Sequence, residues 1–264
     1  MNIRYIDAHC HIQFEQYASD RDEVIRHMEE QGVAAVAVGC DLEGSRQAVA
    51  LAGKHEHIFA SIGQHPNHTD EPCDEAQFRA LAQQPKVVAI GECGFDFFRP
   101  EDCGLEEIER QRELFKKHIA IAGELNKPLV IHARPSKGTY DAYHEVIALL
   151  QEAKQVYPNL RGDAHFFAGG IEEAKAFVAL DFTLSFTAVI TFARDYDEVI
   201  RTVPLTSLLA ETDAPYVAPV SRRGKRNDPL AVIDVVEKIA ELRGEDPEFV
   251  RTTLLANTKT LYSL

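Results

Sequence analysis

The 264-residue sequence has no apolar stretch long enough to span a bilayer, which excludes a protein threaded through a membrane on helices. Its opening, MNIRYIDAHC, runs straight into a strand pattern and lacks the apolar core of a secretory signal. Cysteine is scarce and odd in number, with Cys10, Cys40, Cys73, Cys93 and Cys103 scattered along the chain, so no disulfide framework organises it. Together these absences predict a cytoplasmic protein. Cations are also short, with 28 Lys and Arg against 42 Asp and Glu for a formal charge of −14. A broad nucleic-acid-binding surface needs clustered cations to displace counterions from phosphates, and this balance argues against one. It does not exclude a phosphate-containing substrate, because a bound metal inverts the local potential. No Pro/Gly/Ser linker, low-complexity tract or long charge block divides the chain, which reads as one domain over 1–264 with no obligate protein partner.

What is present is a rhythm of short apolar runs: YIDAHC, VAAVAVGC, IFASIGQH, VVAIGECG, PLVIHA, RGDAHFF, FTLSFTA and SLLAETD. Most are continuously apolar rather than alternating, as strands buried on both faces should be. The segments between them read as amphipathic helices. Ser19 and Asp22 suggest a capping-box start, after which Val24, Ile25 and Met28 keep an apolar face until Gly32. Leu105, Ile108, Phe115, Ile119 and Ala122 recur at helical spacing, and Asn126 with Pro128 marks the end of that segment. Pro229 suits a first helical position ahead of Val232, Val235, Val236 and Ile239. Eight strands alternating with helices predict an α/β chain folded as a (β/α)₈ TIM barrel. An open doubly wound sheet shares the alternation, but the count of eight and the placement of polar residues favour the barrel.

In such barrels functional groups project from the C-terminal ends of the strands. The first run ends in His9 and His11, the fourth in Glu92, the fifth in His132, the sixth in His165 and the eighth in Asp213. Because side chains alternate along a strand, His9 and His11 share one side while Cys10 points to the other as a small packed residue. Four neutral imidazoles and two carboxylates suit zinc, manganese, cobalt or nickel better than magnesium. Six donors exceed what one tetrahedral ion with an open position needs. They fit two divalent ions sharing Glu92, one held by His9, His11, Glu92 and Asp213 and the other by Glu92, His132 and His165. A lone histidine at a strand end is usually plain polar rim, but that reading does not account for six donors at one face. The other histidines (His27, His55, His57, His65, His68, His118 and His144) read as ordinary, except that His65, in GQHP, shares the active face and is a candidate substrate contact. Cys93 reads as core. Arg134, two residues past His132, and the basic run Arg222 to Arg226 are candidates for gripping a phosphate; a solvated loop describes the run equally well.

These residues carry a resemblance to the TatD-type metal-dependent deoxyribonucleases and hydrolases, within the wider amidohydrolase-like barrels. DAHCH resembles the opening motif of that family and GQHP its third-strand segment. GECGFDFF, IHAR, and ETDAPY with RGKRNDP resemble its fourth-, fifth- and eighth-strand motifs. Two segments depart from it at the pocket wall: HFFAGG after the sixth-strand histidine and ARPSKG after the fifth-strand motif. The resemblance implies the same six metal residues and hydrolysis of ester bonds, above all phosphodiesters of DNA ends or nucleotides. A two-metal-activated water would attack phosphorus, with Glu92 bridging and Asp213 orienting the nucleophile and taking its proton. Arg134, His65 and Arg226 are the expected substrate contacts. A small-molecule esterase, lactonase or amidohydrolase on the same barrel is the main rival. A non-catalytic binding barrel is a weaker one, since it had no reason to keep the full donor set.

Overall fold

The eight apolar runs become eight parallel strands in the computed structural model of the chain, which describes residues 2–98 and 104–264. They are β1 (Tyr5–Cys10), β2 (Val33–Val38), β3 (Ile58–Ile62), β4 (Val87–Asp96), β5 (Leu129–Arg134), β6 (Gly162–Ala164), β7 (Phe182–Phe186) and β8 (Leu208–Ala210), paired in chain order. An open sheet would leave β1 and β8 as bare edges. Here the exit of β8 pairs with that of β1, through Asp213 N donating to His9 O at 2.9 Å and His11 N to Ala214 O at 2.7 Å. The expected single (β/α)₈ barrel is therefore the observed fold. Cys103, counted among the scattered cysteines, lies outside the described residues.

The helices are α1 (Arg21–Gln31), α2 (Leu42–Ala52), α3 (Glu75–Ala82), α4 (Leu105–Leu125), α5 (Asp141–Val156), α6 (Ile171–Ala179), α7 (Asp197–Thr202), α8 (Val232–Arg243) and α9 (Pro247–Tyr262). Gly32 ends α1 and Asn126 ends α4, both in the left-handed conformation at φ 72° and 51°. The capping box at Ser19 does not form. Asp20 occupies the N-cap, and its carboxylate is drawn to Arg226 instead of the first helical amides. Leu105 opens α4 but stays exposed; the buried stripe runs through Leu114, Phe115, His118, Ile119 and Ala122. Pro229 starts a short 3₁₀ turn, capped by Asp228 accepting from Leu230 N at 3.1 Å, and α8 follows at Val232.

Alternation along each strand divides the core. Leu129, Ile131 and Ala133 of β5 face the helices, among Phe115, Tyr143 and Val146, while Val130 faces the barrel axis with Val36, Leu209 and Tyr262. Each fully buried aromatic or aliphatic side chain in the outer layer contributes roughly 1.5–3 kcal/mol. The wall is thus stabilised without help from the polar residues at its mouth. Among the described residues no helix is long and apolar enough to cross a membrane.

Candidate metal centre

At the C-terminal mouth of the barrel the six sequence-selected donors converge. His9 Nε2 and His11 Nε2 lie 3.3 Å apart, with Glu92 Oε2 3.5 Å from the first and Asp213 Oδ1 3.4 Å from the second. On the other side Glu92 Oε1 lies 2.8 Å from His132 Nδ1 and 3.6 Å from His165 Nε2. Glu92 therefore turns one oxygen to each half of the cluster, and Cys10 packs away from it among the helix-facing residues. A cavity of about 760 Å³ opens above, its walls including Phe14, Phe166 and Tyr216.

Local backbone explains why Glu92 stands there. It is flanked by Gly91 and Gly94, both at positive φ (142° and 137°). A Cβ at Gly91 would land on the Val130 carbonyl, and one at Gly94 on that of His132. Only glycine lets β4 close so tightly on β5. At the far end of β4, Gln111 of α4 accepts from Asp96 N at 3.0 Å and donates to Asp96 O at 3.2 Å, which fixes the strand's exit. Asp213 sits just past β8 at φ 52°, a left-handed conformation that aspartate tolerates better than most residues.

Hydrogen bonds on the far side of the rings set where their lone pairs point. His11 Nδ1 lies 2.8 Å from Val38 O and must carry a hydrogen, so its Nε2 presents a lone pair to the centre. His165 Nδ1 lies 2.9 Å from Glu211 Oε1, and its Nε2 likewise faces inward. His9 is stacked on His165 with centroids 3.5 Å apart, and its buried Nδ1 has no hydrogen-bond partner. Inward lone pairs beside two carboxylates need a proton or a cation among them, and the donor set fits a divalent ion of the zinc or manganese type.

The charges interlock. Burial alone would raise the Glu92 carboxyl, but the imidazoles of His65, His132 and His9 outweigh it and hold it well below its ordinary value. Burial disfavours protonated His165, yet Glu211 reverses this and lifts its pKa to about 10. His132 is raised in the same way, by Asp96 and Glu92 against burial. Asp213 is lowered by His11 and His165, again against burial.

Other expected contacts fare differently. His65 enters the centre itself, with Nε2 3.5 Å from Glu92 Oε1. Its Nδ1 accepts from Asn67 N at 3.1 Å, and burial together with His132 lowers its pKa to about 3. The ring is therefore neutral with a hydrogen on Nε2, a donor to Glu92 or to a ligand. Arg134 stands at the cavity rim, its guanidinium 3.8 Å over the Phe98 ring. Arg226 is not brought to the cavity: it pairs with Asp20 at 2.6 Å, reaches Gln16 O at 2.6 Å and covers the Tyr17 ring. Arg222 is likewise tied to Asp228 and Asp234. The basic run closes the chain's own loops, as opposite charges are close at hand for both arginines.

Three of the residues missed from sequence lie one alternation beneath those found. Asp7, Asp163 and Glu211 each precede a mouth residue by two positions, and Asp96 follows Glu92 by four, so strand alternation alone would have found them. Asp96 Oδ2 is 3.4 Å from His132 Nε2. Asp7 accepts from Thr212 N at 2.8 Å and His9 N at 3.2 Å. Cys40 brings its Sγ within 3.6 Å of Glu92 Oε2.

One proton in this layer can be assigned by counting. Ser185 Oγ lies 2.5 Å from Asp163 Oδ2 and 2.8 Å from Glu211 Oε2, but a hydroxyl has one hydrogen. Glu211 already accepts from Phe166 N at 2.7 Å and from His165, against the single Thr183 hydroxyl at 2.7 Å on Asp163, so Ser185 donates to Glu211 and Asp163 retains an acid proton. Burial and the Glu211 charge raise Asp163 from 3.8 to about 7, in agreement. A carboxyl raised on folding stabilises the protein below its unfolded value, and that contribution is lost as pH rises through about 7. In Asp163→Asn the amide can donate where the acid does and cannot ionise. Its stability, followed by urea midpoint, should fall less than the parent's between pH 5 and pH 8. Parallel curves would place the proton elsewhere.

The family described as TatD related DNase matches residues 6–263. The chain is 35% identical over 265 residues to the uncharacterized metal-dependent hydrolase YcfH of Escherichia coli K12, across 98% of this chain and 96% of that one. It is 34% identical over 259 residues to the 3′-5′ ssDNA/RNA exonuclease TatD of Escherichia fergusonii, across 94% and 95% of the two chains. The crystal structure of YjjV, a TatD homolog from Escherichia coli K12, superposes with a TM-score of 0.88 at 29% identity over 100% of both chains.

Proposed function

The chain belongs to the TatD-related DNase family and is a metal-dependent hydrolase, and from that premise we propose that it cleaves phosphodiester bonds in DNA ends or nucleotides. One observation carries the reading. Glu92 divides the donors into two groups beneath a rim where Arg134, a cation with no ion-pair partner among the described residues, faces the same cavity.

In this reading His9, His11, Glu92 and Asp213 would hold one divalent ion, and Glu92, His132 and His165 would hold a second. When bound, such ions lower the pKa of a water toward neutrality and neutralise charge on phosphoryl oxygens. Val38 O and Glu211 keep the His11 and His165 rings turned inward. Asp213, ionised at neutral pH, takes the nucleophile's proton at its carboxylate. His65 donates from Nε2 to a substrate oxygen, and Arg134 grips the phosphate, its guanidinium braced on Phe98.

Elemental analysis of active protein should find about two divalent ions per chain, and chelation should abolish hydrolysis. Active protein free of transition metal and magnesium would overturn the reading. Within the same panel, Arg134→Ala should lower kcat/KM for a phosphodiester by roughly 10- to 100-fold while costing a neutral nitrophenyl ester much less. Equal losses would mean that Arg134 serves the wall and not the phosphate.

A further inference from the structure

Beside the metal cavity the mouth opens into a second hollow of about 420 Å³, sharing Arg134, Pro135 and Ala168 with it. Its remaining walls include Phe98, Lys137 and Tyr140. In a chain with 42 acidic residues, none of the described residues lining this hollow is a carboxylate. Neither Arg134 nor Lys137 has an ion-pair partner among the described residues. The two aromatic rings, Phe98 and Tyr140, stay 47% and 44% exposed at the hollow.

The loop that carries these groups is held in shape. Ser136 N donates to Asp141 Oδ1 at 2.9 Å, and Thr139 donates to Ser136 O from its amide at 3.1 Å and its hydroxyl at 3.0 Å. Gly138 turns the chain at φ 79°. Tyr140 rests its ring against Gly170, where even a Cβ would come within 3.4 Å of it. The backbone that carries Lys137 and Tyr140 is thus held at a set distance from the histidine and carboxylate donors. Along β5, Arg134 stands two residues beyond His132, which is roughly 6–7 Å.

We propose that this hollow is a subsite for the nucleotide adjoining the cleaved one in an unpaired strand. Lys137 takes its phosphate and Tyr140 its base. Stacking on one ring is tolerant of base identity, and a duplex could not offer a base face to Tyr140. With no carboxylate among its described lining residues, the hollow is a place where a chain of charge −14 can admit a polyanion. The inference rests on the phosphodiesterase reading for its substrate but not for its test.

The test compares Lys137→Glu and Tyr140→Ala with the parent chain on two substrates: bis(p-nitrophenyl) phosphate, which has no second phosphate, and the trinucleotide pTpTpT. The ratio of kcat/KM for trinucleotide over small diester should fall about 10-fold in each variant, mainly through KM. In parallel, fluorescence anisotropy reads binding of a fluorescein-labelled phosphorothioate oligothymidylate to the purified protein. Both variants should bind about 10-fold more weakly, and Lys137→Glu should show a shallower salt dependence. An unchanged ratio, or oligonucleotide binding that neither variant weakens, overturns the subsite. If neither diester is hydrolysed by the parent, the phosphodiesterase reading fails, and the anisotropy alone decides: weakened binding in the variants supports the subsite, and no binding by the parent overturns it.

Discussion

Glu92→Ala is expected to empty the metal centre and reduce hydrolysis by at least about 10³-fold. Losing a partner that merely supports a ligand typically costs about 10- to 100-fold in metal affinity, and Glu92 stands closer than that. Its two oxygens face His9 and His11 on one side and His132 and His165 on the other. Removing it leaves four imidazoles with Asp213, on one side only, to offset the charge of a divalent ion. Metal content of the purified variant, measured beside its turnover, checks the expectation. A variant that keeps two ions would show that Glu92 does not bridge.

Asp213→Asn should behave in the opposite manner, keeping metal and losing turnover. An amide oxygen can still coordinate, and the group at Glu92, His132 and His165 is untouched by the change. The amide has no site for the nucleophile's proton. Loss of a general base typically costs about 10²–10⁴-fold, and the deficit should lie in kcat and in single-turnover rates. The left-handed backbone at residue 213, φ 52°, suits asparagine as well as aspartate, so the fold should not confound the measurement. Near-parental turnover would remove Asp213 from proton transfer.

The fold was legible because eight continuously apolar runs admit few architectures, and the mouth because barrel strands deliver their last residues to one end. His9 with His11 and Glu92 between two glycines could be read from single strands. Asp7, Asp163 and Glu211 were within reach of the same alternation and were passed over, since a carboxylate inside an apolar run looks like interruption until a serine or threonine is found opposite it. Ser185 comes from another strand and Thr212 from the segment past β8, and nothing local announces the pairing. The fate of Arg226 was beyond reach for the same reason. Its partner Asp20 lies 206 positions away, and sequence cannot distinguish a free cation from one whose counter-charge arrives with the fold. His65 was underrated because its tautomer depends on the amide of Asn67, a matter of loop geometry.

The two glycines around Glu92 also bear on how such a protein can diverge. No substitution at position 91 or 94 is cheap, because any side chain meets a carbonyl of the neighbouring strand and β4 must then withdraw from β5. Lineages built on this barrel cannot drift at the centre by small steps. The wall is under a lesser restraint: at Gly138 an added Cβ meets nothing within 4 Å, so a side chain there strains only its own backbone, at φ 79°, and leaves the neighbouring strands in place. Heritable change should therefore collect in the loops that meet substrate. New preferences can be tried there, generation after generation, while the ion-holding strands stay as they are.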